Sequence, residues 1–128
     1  MSVRAVKIYF DGGARPNPGP IEVAVVLRGV AHVADNLGHG SNLDAEWLAL
    51  IAALRLAQET ACAAFDLVGD AAHVIAVASG TAPCRGAAQA AHLATFLTLA
   101  KARPPRRIRW TPRAQNLAGI ALAARHGR

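Results

Sequence analysis

Three acidic residues in this chain could serve a single reaction. Asp11 closes a β-rich stretch, Val3 to Asp11, and Asp70 closes a second, Phe65 to Gly69. Glu46 falls in the first turn of an amphipathic segment. In sheets with parallel strands, sites form beyond the carboxyl ends of the strands. If the two stretches are parallel neighbours, Asp11 and Asp70 meet at one edge, and Glu46 needs only a helix start above it. Three carboxylates there repel unless neutralised, and hard oxygen ligands favour magnesium or manganese over zinc. A carboxylate-held metal pair suits phosphodiester hydrolysis, one ion activating water and the other stabilising the leaving oxygen. Each acid alone has a plainer use, as a turn former or a partner of the helix dipole. Their joint placement is what points to chemistry.

The elements that would position them follow from the apolar pattern. After the first strand, Gly12 to Pro20 reads as a rigid turn-rich loop. Ile21 to Arg28 and Val30 to Leu37 read as strands two and three, and short connections make the first three an antiparallel meander. A helix is predicted from Asp44 to Glu59, with Trp47, Leu50, Ile51, Leu54 and Ala57 at 3–4 spacing and Ser41 or Asn42 as its cap. The fourth strand is Phe65 to Gly69. Helices follow over Ala71 to Ser79 and Ala87 to Ala102, then a strand over Arg107 to Thr111 and a helix over Gln115 to Arg125. Helices between the later strands require parallel pairing there. The expectation is one α/β domain over residues 1–128 with a mixed sheet, its first strands antiparallel and its later ones parallel.

Composition narrows the partners. No apolar run suits a bilayer span, and the opening residues lack the plan of a signal peptide. Cys62 and Cys84 fit neither a disulfide framework nor a zinc spacing, and read as reduced thiols of a cytoplasmic protein. Charge is divided unevenly. The first 70 residues hold five cationic and eight acidic side chains, and the last 58 hold nine cationic and no acidic ones. That asymmetry suits an anionic partner on the C-terminal half, although a solubilising face reads the same way. Lys101, Arg103, Arg106, Arg107, Arg109 and Arg113 could track a phosphate backbone.

The stretch Ile8-Tyr9-Phe10-Asp11-Gly12-Gly13-Ala14-Arg15-Pro16-Asn17-Pro18-Gly19-Pro20 resembles the opening of the type I ribonuclease H family. Ser41-Asn42-Leu43-Asp44-Ala45-Glu46-Trp47 resembles that family's second motif, Gly69-Asp70 before a helix its third, and Trp110-Thr111-Pro112-Arg113-Ala114-Gln115-Asn116 its last. The motifs come in family order over residues 8 to 123. The resemblance implies a ribonuclease H-like fold, a five-stranded mixed sheet with three strands antiparallel and then two parallel and helices on both faces, and magnesium-dependent endonucleolytic cleavage of the RNA strand of RNA–DNA hybrids. Manganese is an alternative ion, and the chain is expected to act as a monomer without a membrane. Asp11, Glu46 and Asp70 would then be both metal ligands and catalytic residues. Asn17, Ser41 and Asn42 would lie near the RNA strand, Gly12 and Gly13 would let backbone approach it, and Arg113 and Asn116 would complete the substrate-binding set.

The chain also departs from the family pattern. The position of the family's fourth carboxylate is held by Ile120, which cannot ligate a metal. The Gly-rich continuation of the first motif is replaced by Ile21-Glu22-Val23, the usual serine after the third-motif Asp is Ala71, and the loop histidine of some members is absent. Among the five histidines, His73 is the one expected near the cleft. Trp47 and Trp110 are both expected to pack inward. Two readings follow, a ribonuclease H weakened by loss of one metal ligand and a catalytically inactive module that binds hybrid. A third, a nucleotide-handling enzyme on the same fold, lacks a second lobe at this length.

Overall fold

The computed structural model describes residues 4–126. Val3, at the start of the expected first strand, lies outside the described residues. Strand β1 runs from Val6 to Ala14, through both glycines of the expected loop. It pairs antiparallel with β2, Gly19–Leu27, with Asp11 opposite Ala24 and Gly13 opposite Glu22. The ladder to β2 thus holds Gly12, Gly13 and Ala14 extended although glycine favours turns. Only the Arg15–Pro18 segment remains as a connecting loop.

Strand β3, Val30–Ala34, pairs antiparallel with β2 and forms an edge on which all five residues are exposed. It stops short of the expected Leu37. The two-residue strand β4, His39–Gly40, falls in the expected loop and pairs with the start of β2. Strand β5, Phe65–Gly69, lies parallel to β1 on one side and to β6, Arg107–Trp110, on the other. The main sheet therefore has the order β3-β2-β1-β5-β6, three strands antiparallel and then two parallel.

Helix α1, Asn42–Glu59, starts two residues before the expected Asp44. The reason is a reciprocal cap: Asp44 N–H donates to Ser41 Oγ at 3.1 Å, and Ser41 N–H donates to Asp44 Oδ2 at 3.0 Å. Its buried face carries Ala45, Trp47, Ala49, Leu50, Ala53 and Leu54. Alanines at 45, 49 and 53 let the helix lie close on the sheet. Trp47 Nε1 donates to Gln89 Oε1 at 3.1 Å, which ties α1 to α3, Ala87–Ala102. The short helix α2, Ala72–Ala78, precedes α3 on the same side.

Helix α4, Leu117–Arg125, covers the other face, packing Ala118 and Leu122 on Ala24 and Val26. Residues Arg113–Gln115, in part expected to be helical, form a single 3-10 turn. Asn116 caps α4 instead, accepting from Ala118 N–H at 3.1 Å. Trp47 is fully buried as expected, but Trp110 is 57% exposed. It sits at the end of the edge strand β6. Among the described residues, no helix is long and apolar enough to cross a membrane.

Helix α1 comes very close to β1 at Gly12. A Cβ placed on Gly12 would run into the carbonyl of Ala45 and meet Ala49 Cβ at 3.2 Å. The obstacle is backbone, which cannot swing aside. Gly12→Ala is therefore expected to destabilise the protein by about 3 kcal/mol, measured by urea denaturation with the wild type as reference.

Candidate active site

Parallel pairing of β1 with β5 sets the ends of these strands side by side, and Asp11 and Asp70 with them. Gly69 makes room for the pairing. The ring of Phe10 lies where a Cβ would be, with ring carbons 2.6 to 2.9 Å away. Glu46 enters from the first turns of α1, brought down by the close contact at Gly12. One cleft is lined by Asp11, Glu46, Gly12, Gly13, Asn42 and Arg113 together with Glu22 and Gly119.

The charges in this cleft oppose one another. The Asp11 carboxyl is pushed up to about 6, first by burial and then by the charge of Asp70, with Arg113 pulling the other way. Glu46 is pushed up to about 7 by burial, then by Asp11 and Asp70, again against Arg113. The Arg113 guanidinium stands 3.2 Å from Asp70 Oδ2 with a side chain 77% exposed. It offsets part of the repulsion, and its exposed side chain can turn away without opening the core.

Asn116 has another place than the substrate-contacting one expected of it. It is fully buried. Its amide donates to Phe10 O at 3.0 Å and to Asp70 Oδ1 at 2.6 Å, while its own oxygen caps α4. Every polar atom of the side chain is occupied inside the protein, so the residue positions Asp70 and does not face a ligand. Gly12 is likewise required by the packing of α1, whatever approaches from outside.

The remaining expected residues gather at the rim. Asn42 N–H donates to Asn17 Oδ1 at 3.0 Å, and Ala14 N–H donates to Asn42 Oδ1 at 2.9 Å. Ser41 is engaged in the cap of α1. These polar groups hold the loop after β1 against the helix start. His73 is exposed on α2 and does not line the cleft.

The basic cluster divides among several tasks. Arg106 donates from Nε and Nη2 to the buried Asp66, at 3.0 and 2.7 Å, and Arg107 and Arg109 pair with the same carboxylate at 3.5 and 3.7 Å. The hydrogen bonds from Arg106 hold Asp66 below the ordinary carboxylate range. Arg103 donates to the Ala57 carbonyl and lies over the Phe65 ring. These cations brace the sheet as well as charging its surface.

Sequence reasoning passes over several residues that the fold puts to use. Asp44 is held below the ordinary range by the Ser41 N–H and then by His92, whose Nε2 is 2.9 Å away. The Ser-x-x-Asp spacing of a capping box is a signal for Asp44. Glu22 is buried and bonds His126 Nε2 at 2.6 Å. No spacing signals that pair, because it joins β2 to the end of α4.

A family model described as "Reverse transcriptase-like" matches residues 10–126. Over 70 residues the chain is 43% identical to a curated protein named "Ribonuclease HI" from Halobacterium salinarum (strain ATCC 700922 / JCM 11081 / NRC-1), a match covering 51% of this chain and 35% of that protein. The match thus spans about a third of the length of that relative. Three solved structures are similar over nearly the whole chain. RNase H1 from the same halophilic archaeon has a TM-score of 0.80 at 29% identity, covering 93% of this chain and 94% of that one. The N-terminal RNase H domain of a Mycobacterium tuberculosis protein, solved as a fusion with maltose-binding protein, has 0.76 at 27%, covering 93% and 95%. LC11-RNase H1 in complex with an RNA/DNA hybrid has 0.75 at 25%, covering 91% and 92%.

The raised carboxyls carry a consequence for stability. An acid whose pKa is higher in the folded chain than in the unfolded one folds better protonated. Its cost is fully present above the folded value, shrinks as pH falls below it, and is gone only below the unfolded value. With metal chelated, wild type is expected to gain thermal stability as pH falls from 8 towards 5, through the values near 7 and 6 of Glu46 and Asp11. In Asp11→Asn that gain should shrink, and thermal melts of both proteins across this range measure it.

Proposed function

The chain belongs to the reverse transcriptase-like family and carries the ribonuclease H fold, and from that premise we propose that it hydrolyses the RNA strand of RNA–DNA hybrids with a divalent metal held at Asp11, Glu46 and Asp70. The observation that carries this reading is the convergence of Asp11 and Glu46 in one cleft, with Asp70 beside them at the strand ends and all three coupled through their charges. A phosphodiester is the substrate class that such a site suits, and the hybrid seated on LC11-RNase H1 supports the choice of nucleic acid.

The residues suit magnesium or manganese by their chemistry. All donors are hard oxygens, and the ionised forms of Asp11 and Glu46 lack a full counter-charge. Among the described residues, no three His, Cys, Asp or Glu side chains already stand in a metal-ligating arrangement. The three carboxylates would have to draw together around an ion as it binds. When bound, the metal would supply activation of water and stabilisation of the leaving oxygen.

The protein's own contributions are separate from that chemistry. Asn116 fixes Asp70 by its hydrogen bond. Arg113 pairs with Asp70 from an exposed position, and it would be free to meet a phosphate if a bound cation took over that carboxylate. Asn17, Ser41 and Asn42 mark the rim along which the RNA strand would lie.

Ile120 favours a second reading, a module that binds hybrid without cutting it. The side chain is 53% exposed on α4 and offers no ligand. The experiment is cleavage of an end-labelled RNA–DNA hybrid in magnesium and then manganese. Wild type should cut the RNA strand, more strongly in manganese, and Asp11→Asn should abolish cutting. Ile120→Asp should raise it. Salt-sensitive hybrid binding without any cleavage would instead establish the binding module.

A further inference from the structure

Two departures from the family pattern fall on β2 and α4, the elements that wall one side of the cleft. The sequence loses a carboxylate at Ile120 and gains one at Glu22. Glu22 stands opposite Gly13 on β2, and Asp11 stands opposite Ala24. Side chains alternate along a strand, so Glu22 and Asp11 project from the same face of the sheet as diagonal cross-strand neighbours. Such neighbours lie roughly 7–8 Å apart, within reach of a long side chain.

Glu22 is only 8% exposed and lines the same cleft as Asp11 and Glu46. Helix α4 closes this side. Gly119 lies against Asp11, where a Cβ would be 3.5 Å from Oδ2, and Leu122 and Ala123 continue the wall towards Glu22. We propose that Glu22 replaces the carboxylate missing at Ile120 and acts with Asp11 as a ligand for a divalent metal at this site. The inference rests on the metal-site reading above.

The groups around Glu22 leave this open. Among the described residues, His126 makes the one hydrogen bond to the carboxylate, at 2.6 Å on Oε1. Arg125 stands 3.5 Å from Oε2 and Arg15 3.8 Å from Oε1, ion-pair distances without hydrogen bonds. Arg125 has a second partner in Asp35 at 2.9 Å, so it stays paired when Glu22 turns. A carboxylate held mainly by groups at the end of α4 is poised to exchange them for a doubly charged ion.

The test is manganese binding to the full chain, followed by electron paramagnetic resonance, for wild type and four variants. Glu22→Gln keeps the shape and the hydrogen bond to His126 but weakens a ligand. It should weaken manganese binding about tenfold or more. His126→Ala removes the competing hydrogen-bond partner and should leave binding equal or tighter. Adding Ile120→Asp to Glu22→Gln should restore it. Unchanged binding in Glu22→Gln overturns the proposal. Equal losses in Glu22→Gln and His126→Ala also overturn it, because Glu22 would then act only by anchoring α4. Asp11→Asn serves the underlying reading separately. If it binds manganese as wild type does, or if wild type binds none, the metal site itself is wrong.

Discussion

Carboxylates gathered at one sheet edge repel one another, and the fold has to hold them there. Burial sharpens the repulsion, because it removes the water that would screen it. The protein meets this with rigid backbone. Pairing of β1 with β5 fixes Asp11 beside Asp70. The bare Cα of Gly12 lets α1 approach until Glu46 reaches the same cleft. Asn116 pins Asp70 from inside, and Arg113 offers a movable counter-charge. The like charges are thus held together by the fold itself.

Much of this is legible in the sequence, for local reasons. Phe65–Gly69 and Ala87–Ala102 have the bounds expected of them, because an apolar run before Asp70 and the Pro104-Pro105 stop after α3 are strong local signals. The strand-end position of the two aspartates follows from the same signals. What escapes the sequence depends on partners far along the chain. Gly12 and Gly13 read as a turn, and only the ladder to β2 makes them strand. Trp110 reads as core, and only the edge position of β6 leaves it exposed. Asn116 reads as a surface contact, yet its partners are 106 and 46 residues away.

The charge asymmetry has a structural side that composition conceals. Three of the arginines in the basic C-terminal half converge on one acid of the other half, Asp66, which is almost wholly buried on β5. Acid and base are segregated in the sequence and interleaved in the fold. The strand that ends at Asp70 begins beside this pairing. A single five-residue strand, β5, therefore carries a neutralised acid at one end and, past the other, an acid in the repulsive cluster.

Asn116 joins three elements that lie far apart along the chain. The side chain that orients Asp70 and grips the Phe10 carbonyl also caps α4. The ends of β1 and β5 and the start of α4 therefore share one buried residue, and a change that loosens α4 is transmitted to Asp70 directly.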